Sequence, residues 1–230
     1  MNQNIPSSND DDPRDQKKFV FHATLVRRLF IGSCRLIFRL ITKQEIIGVE
    51  NLPVEGAVVL ASNHLTNYDA FPIQFCLPRP LFFMAKAELH KNRLMDAFLR
   101  QLGAFPVKRG ARDEWALNHA RKVLDQNQML AMFPEGTRSK GRGLRPAKTG
   151  AARFALYANC PIIPVAVSGT EKMFKQFPKR TQVTVQIGEP IYPDEGESAL
   201  ALTDRLMFTL AQLLPPELRG VYAERPTGFD

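Results

Sequence analysis

From about residue 45 onward the chain alternates short apolar runs with amphipathic segments. No other feature narrows the fold as much. The strand-like runs are Ile46–Val49, Ala57–Ala61, Leu81–Met84, Ala104–Val107, Met129–Phe133, Ile162–Val167 and Val183–Ile187. Helix-like segments lie at about 69–76, 88–101, 113–126, 147–158 and 198–213. Strands alternating with helices predict an α/β domain, with a mixed, mostly parallel sheet flanked by helices. The spacing between runs is uneven, so a purely parallel sheet is not required. Pro164 interrupts one run, and a proline donates no ladder hydrogen bond, which predicts a bulge or an edge position there.

Composition fits such a domain. Hydrophobic residues make up 44% and charged residues 23% of 230, and sixteen Phe supply a large core. These values exclude disorder over most of the length. The predicted layout is a disordered polar tail at 1–16, an amphipathic membrane-associating helix or helix pair at 17–43, an α/β domain at 44–215 and a polar surface tail at 216–230. No apolar stretch reaches the about 20 residues of a spanning helix. The three cysteines (Cys34, Cys76, Cys160) form no CxxC pair, so neither a disulfide framework nor a zinc site is expected. They suit a reducing compartment.

The formal net charge of +8 favours anionic partners. Part of it is concentrated in residues 17–43, which hold seven Lys or Arg and no acid. At about 100° per residue, Thr24, Arg28, Arg35, Arg39 and Thr42 share one narrow stripe, with Arg27 at its border. Leu25, Val26, Leu29, Phe30, Ile31, Leu36, Ile37, Phe38, Leu40 and Ile41 fill the rest. A wide apolar face beside a purely basic stripe suits a helix lying in the surface of an anionic membrane. The same pattern suits a helix that caps the domain core, its arginine stems reaching out to water. Gly32-Ser33 is a candidate break.

Two segments carry chemistry. Ser62-Asn63-His64-Leu65-Thr66-Asn67-Tyr68-Asp69 follows the Ala57–Ala61 run. His64 and Asp69 can meet only across a turn, and Thr66-Asn67 has turn chemistry. An aspartate bound to Nδ1–H fixes the imidazole tautomer and leaves Nε2 free as a base. The alternative is a loop histidine with Asp69 capping the next helix. Phe133-Pro134-Glu135-Gly136-Thr137-Arg138-Ser139 follows the Met129–Phe133 run. From Arg138 to Lys148 there are five basic residues and no acid, with glycines at 136, 141 and 143 giving the loop flexibility. Arg138 offers a bidentate fork for phosphate. No aromatics interleave with these bases, which disfavours nucleic acid. A third segment, Gly103-Ala104-Phe105-Pro106-Val107-Lys108-Arg109, places Arg109 at a strand end. His22, His90 and His119 lack metal-ligand spacing, and no nearby histidine activates Cys160. No metal ion is expected.

Taken together and in this order, the NHxxxxD and FPEGTRS segments with GAFPVKR and PIIPV resemble the glycerolipid acyltransferase family, nearest its lysophosphatidate-acylating branch. The resemblance spans about residues 45–190. The family's commoner form of the GAFPVKR block carries Ile before the Arg, where this chain has Lys108. The resemblance implies acyl transfer from a thioester, acyl-CoA or acyl carrier protein, to the sn-2 hydroxyl of 1-acyl-sn-glycerol-3-phosphate, or to another lysolipid such as a lyso-ornithine lipid. It implies His64 as general base and Asp69 as its orienting group. Arg109, Glu135, Gly136, Thr137 and Arg138 would hold the acceptor phosphate, and Arg145 and Lys148 would add phosphate or CoA contacts. Glu135, a carboxylate, is expected to pair with a basic residue and position the loop, or to bond an acceptor hydroxyl. No cofactor beyond the thioester co-substrate is implied. The implied site of action is the cytoplasmic face of a membrane.

Overall fold

The apolar runs assemble into one sheet in a computed structural model that describes residues 12–17, 19–21, 24–110, 112–175 and 178–224. The strands are β1 (Thr42–Ile47), β2 (Val58–Ser62), β3 (Leu81–Lys86), β4 (Ala104–Val107), β5 (Met129–Met132), β6 (Ile162–Ser168) and β7 (Thr181–Ile187). Across the sheet they run β1-β7-β6-β2-β5-β3-β4. Neighbours are parallel except β6 and β7, which gives the mixed, mostly parallel sheet read from the sequence. The helices are α1 (Leu25–Ile41), α2 (Ala70–Cys76), α3 (Arg93–Gln101), α4 (Glu114–Asp125), α5 (Gly150–Ala158) and α6 (Ala199–Leu213).

The central strands are apolar throughout because both sheet faces are covered. Val59 and Ala61 of β2 join one core with Val123 of α4, Ala152 of α5 and Leu206 of α6. Val58 and Leu60 point the other way, into a core with Ile73 of α2. Each of these Val, Leu and Ile side chains, fully buried, contributes about 1.5–3 kcal/mol.

Several expectations need correction. β1 begins at Thr42, not Ile46, because edge pairing with β7 holds the polar stretch Thr42-Lys43-Gln44-Glu45 in the sheet. Of the two positions expected for Pro164, the structure has the bulge and not the edge, since β6 lies between β7 and β2. The ladder does slip there: Ile162 bridges Ile191 while Val165 pairs with Ile187, so residues 163–164 face residues 188–190. The slip spares Pro164 a donor, and its carbonyl accepts from Gly188 N at 2.9 Å. α3 starts at Arg93 after a short 3-10 turn at Ala87–His90, with Asn92 as its N-cap.

Residues 12–16 are not a loose tail, while 1–11 lie outside the described residues. Arg14 donates two hydrogen bonds to the Asp113 carboxylate (2.6 and 2.8 Å) and stacks 4.4 Å over Trp115. Phe19 and Phe21 then pack on His119. The C-terminal segment is docked as well: Leu218 is buried, and Leu144 N donates to its carbonyl at 3.0 Å. Residues 225–230 lie outside the described residues.

α1 is continuous from Leu25 to Ile41 and does not break at Gly32-Ser33, where Ser33 Oγ donates to Leu29 O at 3.0 Å. It has two apolar arcs. Phe30 packs on Phe98 of α3, and Phe38 on Phe71 and Phe75 of α2. Leu25, Val26, Leu29, Leu36, Ile37 and Leu40 stay between 60% and 72% exposed. Arg27 is not at a solvated border but buried, its Nη2 donating to Leu81 O at 3.1 Å. Among the described residues, no helix is long and apolar enough to cross a membrane.

His119 has a measurable cost. Its ring lies 4.6–5.1 Å from those of Phe105, Phe19, Trp115 and Phe21. Burial, then Lys122 and Arg14, push its pKa down to about 4 against a weaker pull from Asp15. The unfolded chain therefore binds the extra proton, and stability present above pH 6.5 is lost as pH falls towards 4. The loss is about 3 kcal/mol. His119→Leu is expected to flatten this acid limb in urea midpoints measured across that window. An unchanged limb would remove His119 as its source.

Candidate active site

β2 and β5 lie side by side and parallel, with Ala61 opposite Met132, so their carboxyl ends emerge on one sheet edge. Ligand groups collect at such an edge in open α/β sheets. Asn63 anchors the first exit: its side chain donates to Val167 O and accepts from Val167 N, both at 2.8 Å. The chain then turns through Thr66-Asn67 and brings His64 Nδ1 to 2.8 Å from Asp69 Oδ2.

Asp69 is fully buried, while the His64 side chain keeps 16% exposure. The carboxylate also accepts from Thr66 N (2.8 Å), Thr66 Oγ1 (3.1 Å) and Thr170 Oγ1 (2.6 Å). It stands at the N-cap position of α2 but makes no side-chain capping bond. The helix-cap alternative is thereby set aside. Since the carboxylate accepts, Nδ1 carries the proton and Nε2 presents a lone pair. The ring stacks on Phe133, centroids 4.1 Å apart, which fixes its plane.

Glu135 knits the two strand exits together. It is buried and accepts from His64 N at 2.7 Å and Arg145 N at 3.0 Å. Burial pushes its carboxyl pKa up, against the backbone donors and His64, with Asp69 adding to the rise. The expected basic side-chain partner is not there among the described residues; two backbone amides do the positioning instead. Ser139 N donates to His64 O (2.7 Å) and Lys140 N to Leu65 O (3.2 Å). Arg138 Nη1 reaches Asn67 Oδ1 at 2.5 Å.

Gly136 has φ 66°, which a side chain rarely adopts, and it lets the Lys148 stem lie against the turn. The loop is less free than three glycines suggest. Gly143 packs so closely on Gly220 that a Cβ would come within 2.8 Å of its backbone. Ala147 N donates to Tyr222 Oη at 3.0 Å, so the C-terminal segment braces the loop.

The structure therefore brings together His64, Asp69, Glu135, Gly136, Thr137 and Arg138, with Arg145 and Lys148 on the same loop. Thr137, Arg138, Arg145 and Lys148 are exposed. Arg109 is exposed at the end of β4, with β3 between it and β5. It shares the edge at about 10 Å from β5, two strand spacings away. Residue-by-residue reading assigns no role to Asn63, Thr170, the Phe133 ring or Tyr222, whose partners are remote in sequence. Cys160 is buried and its thiol is pushed up to about 11 by that burial, so it is no nucleophile at neutral pH.

A histidine hydrogen-bonded to a buried carboxylate, beside a basic loop on an α/β sheet edge, is an arrangement suited to acid–base group transfer. The particular family follows from comparison. An acyltransferase family model matches residues 43–168, and the chain belongs to that family. It is 30% identical over 189 residues to the 1-acyl-sn-glycerol-3-phosphate acyltransferase of Bacillus subtilis, covering 79% of this chain and 94% of that protein. It is 37% identical over 125 residues to the enzyme of the same name from Escherichia coli, covering 50% of this chain and 48% of that one. The crystal structure of the 1-acyl-sn-glycerophosphate acyltransferase of Thermotoga maritima superposes with TM-score 0.68 at 24% identity, covering 82% and 78% of the chains, and shares the fold.

Proposed function

We propose that this acyltransferase moves a fatty acyl group from a thioester, acyl-CoA or acyl carrier protein, to the sn-2 hydroxyl of 1-acyl-sn-glycerol-3-phosphate. The product is phosphatidic acid. The observation that carries this reading is the 2.8 Å His64–Asp69 contact beside the EGTR loop. The names of the bacterial relatives support the acceptor.

In this mechanism His64 Nε2 takes the hydroxyl proton as the acceptor oxygen attacks the thioester carbonyl carbon. Asp69 stabilises the imidazolium formed. The tetrahedral intermediate collapses, the C–S bond breaks, and the imidazolium returns the proton to the departing thiolate. No enzyme nucleophile is required, because the thioester is already activated. The Gly136 and Ser139 amides are engaged, to Phe133 O and His64 O, so these two are not the oxyanion donors. Arg138, with Arg145, Lys148 and the more distant Arg109, holds the acceptor phosphate and keeps its hydroxyl near His64. Glu135, Gly136 and Thr137 shape that loop.

The exposed arc of α1 serves as a membrane-surface anchor on the cytoplasmic side. Its leucines enter the acyl boundary while Arg28 and Arg39 stay among headgroups. Phe38 seats this helix on Phe71, two residues past Asp69, so acceptor lipids reach the site from the leaflet.

Arg138→Ala is expected to raise the KM for 1-acyl-glycerol-3-phosphate by about tenfold or more, with a smaller change in kcat. Thiol release at varied acceptor concentration measures this. An unchanged KM would remove the loop from phosphate recognition. A lyso-ornithine lipid in the same assay tests the alternative acceptor.

A further inference from the structure

At the opposite edge of the sheet from His64, a cavity of about 460 Å³ opens between α1 and the Leu77–Pro80 turn that leads into β3. Its lining includes Arg27, Arg28, Arg35, Arg79 and Gln74, with no acid among the residues that form it. None of these arginines makes an ion pair among the described residues. Arg27 is 3% exposed. It donates to Leu81 O at 3.1 Å and lies 4.6 Å over the Phe82 ring, yet its Nε and Nη1 have no hydrogen-bond partner among the described residues. Arg35 donates to Leu77 O at 3.3 Å, and its buried Nε is likewise unpartnered. Arg79 is tied to the carbonyls of Pro53, Gly56 and Asn127, and Glu55 acts on it from the neighbouring loop.

We propose that this arginine-lined cavity binds the phosphate-bearing headgroup of an anionic phospholipid. A buried guanidinium without a counter-ion is costly, and a phosphate oxygen supplies both the charge and the missing acceptors. The choice of a lipid over a free anion rests on position. On the α1 wheel Arg28 lies about 60° from Leu25, so the mouth of the cavity borders the exposed apolar arc. A headgroup seated there leaves its acyl chains along Leu25, Leu29 and Leu36. The cavity is remote from the catalytic edge, so this is a second lipid site. It orients the enzyme on the membrane instead of presenting the acceptor.

This inference rests on the membrane reading of α1, and the test separates the two. The full-length protein is sedimented with phosphatidylcholine vesicles, with and without a minor fraction of phosphatidic acid. Arg28→Gln/Arg35→Gln is compared with Arg39→Gln/Lys43→Gln, which removes the same charge nearby. The expected result is about tenfold weaker binding to anionic vesicles for the first pair and a clearly smaller loss for the second. Arg28→Gln alone, at an exposed position, should show part of the effect if the pair is unstable. Equal losses would reduce the effect to diffuse surface charge and overturn the cavity site. Thermal stabilisation by inorganic phosphate, without any by anionic vesicles, would assign the cavity to a free anion and overturn the lipid assignment. Wild-type binding to neutral and anionic vesicles alike would leave the anchor standing and remove only the headgroup site. No binding to either vesicle would overturn both.

Discussion

His64→Ala is expected to lower kcat for acyl transfer by about 10²–10⁴-fold, the usual contribution of a positioned general base. The acceptor KM should change little, because phosphate recognition belongs to the EGTR loop. His64 is held in place by its own backbone, through N to Glu135 at 2.7 Å and O from Ser139 N at 2.7 Å. Truncating its ring therefore leaves the loop frame intact. Thiol release and the urea midpoint should separate chemistry from folding: a large rate loss with a midpoint near wild type. Turnover within a few-fold of wild type would mean that another group takes the proton.

Asp69→Asn is expected to cost on the order of 10³–10⁴ in kcat, as when the orienting carboxylate of a serine-protease triad is made an amide. Asp69 accepts four hydrogen bonds and is 0% exposed. An amide there offers one acceptor oxygen and an NH2 facing donors. Either the imidazole adopts the wrong tautomer or Thr66 and Thr170 lose their acceptor. Part of the cost falls on stability, about 1–3 kcal/mol for buried groups left unsatisfied. Thr170→Val separates the two effects, since it removes one supporting bond (2.6 Å) and leaves the carboxylate in place. A milder kcat loss in Thr170→Val than in Asp69→Asn is expected. A nearly wild-type kcat in Asp69→Asn would detach the carboxylate from the chemistry.

The sheet was legible where burial on both faces makes a strand apolar throughout, as in Ala57–Ala61, Met129–Phe133 and Ile162–Val167. The start of β1 is not legible because an edge strand need not be apolar, and Thr42-Lys43-Gln44-Glu45 carries no period-2 signal. The basic stripe of α1 was legible as periodicity. Periodicity does not divide a wide apolar face between protein and solvent, nor show that Arg27 finds a carbonyl at Leu81, 54 residues away. The site behaves alike. His64 and Asp69 are five residues apart and joined by turn-forming residues, so their meeting could be read locally. Thr170 meets Asp69 across 101 residues and Glu135 meets the His64 amide across 71. Those contacts follow from strand order, which no local pattern encodes. The contacts of the termini are not legible for the same reason: Arg14 finds Asp113, and Tyr222 finds Ala147, only once the sheet has formed.

Acceptor-dependent thiol release by the purified protein, with product lipid quantified, tests the central claim most directly. The substrates are a long-chain acyl-CoA or acyl carrier protein and 1-acyl-glycerol-3-phosphate. The expected result is one thiol freed per phosphatidic acid formed, with release collapsing when the acceptor is omitted. Thiol release that ignores the acceptor, or no release with either donor, would contradict direct transfer to a lipid hydroxyl deprotonated by His64.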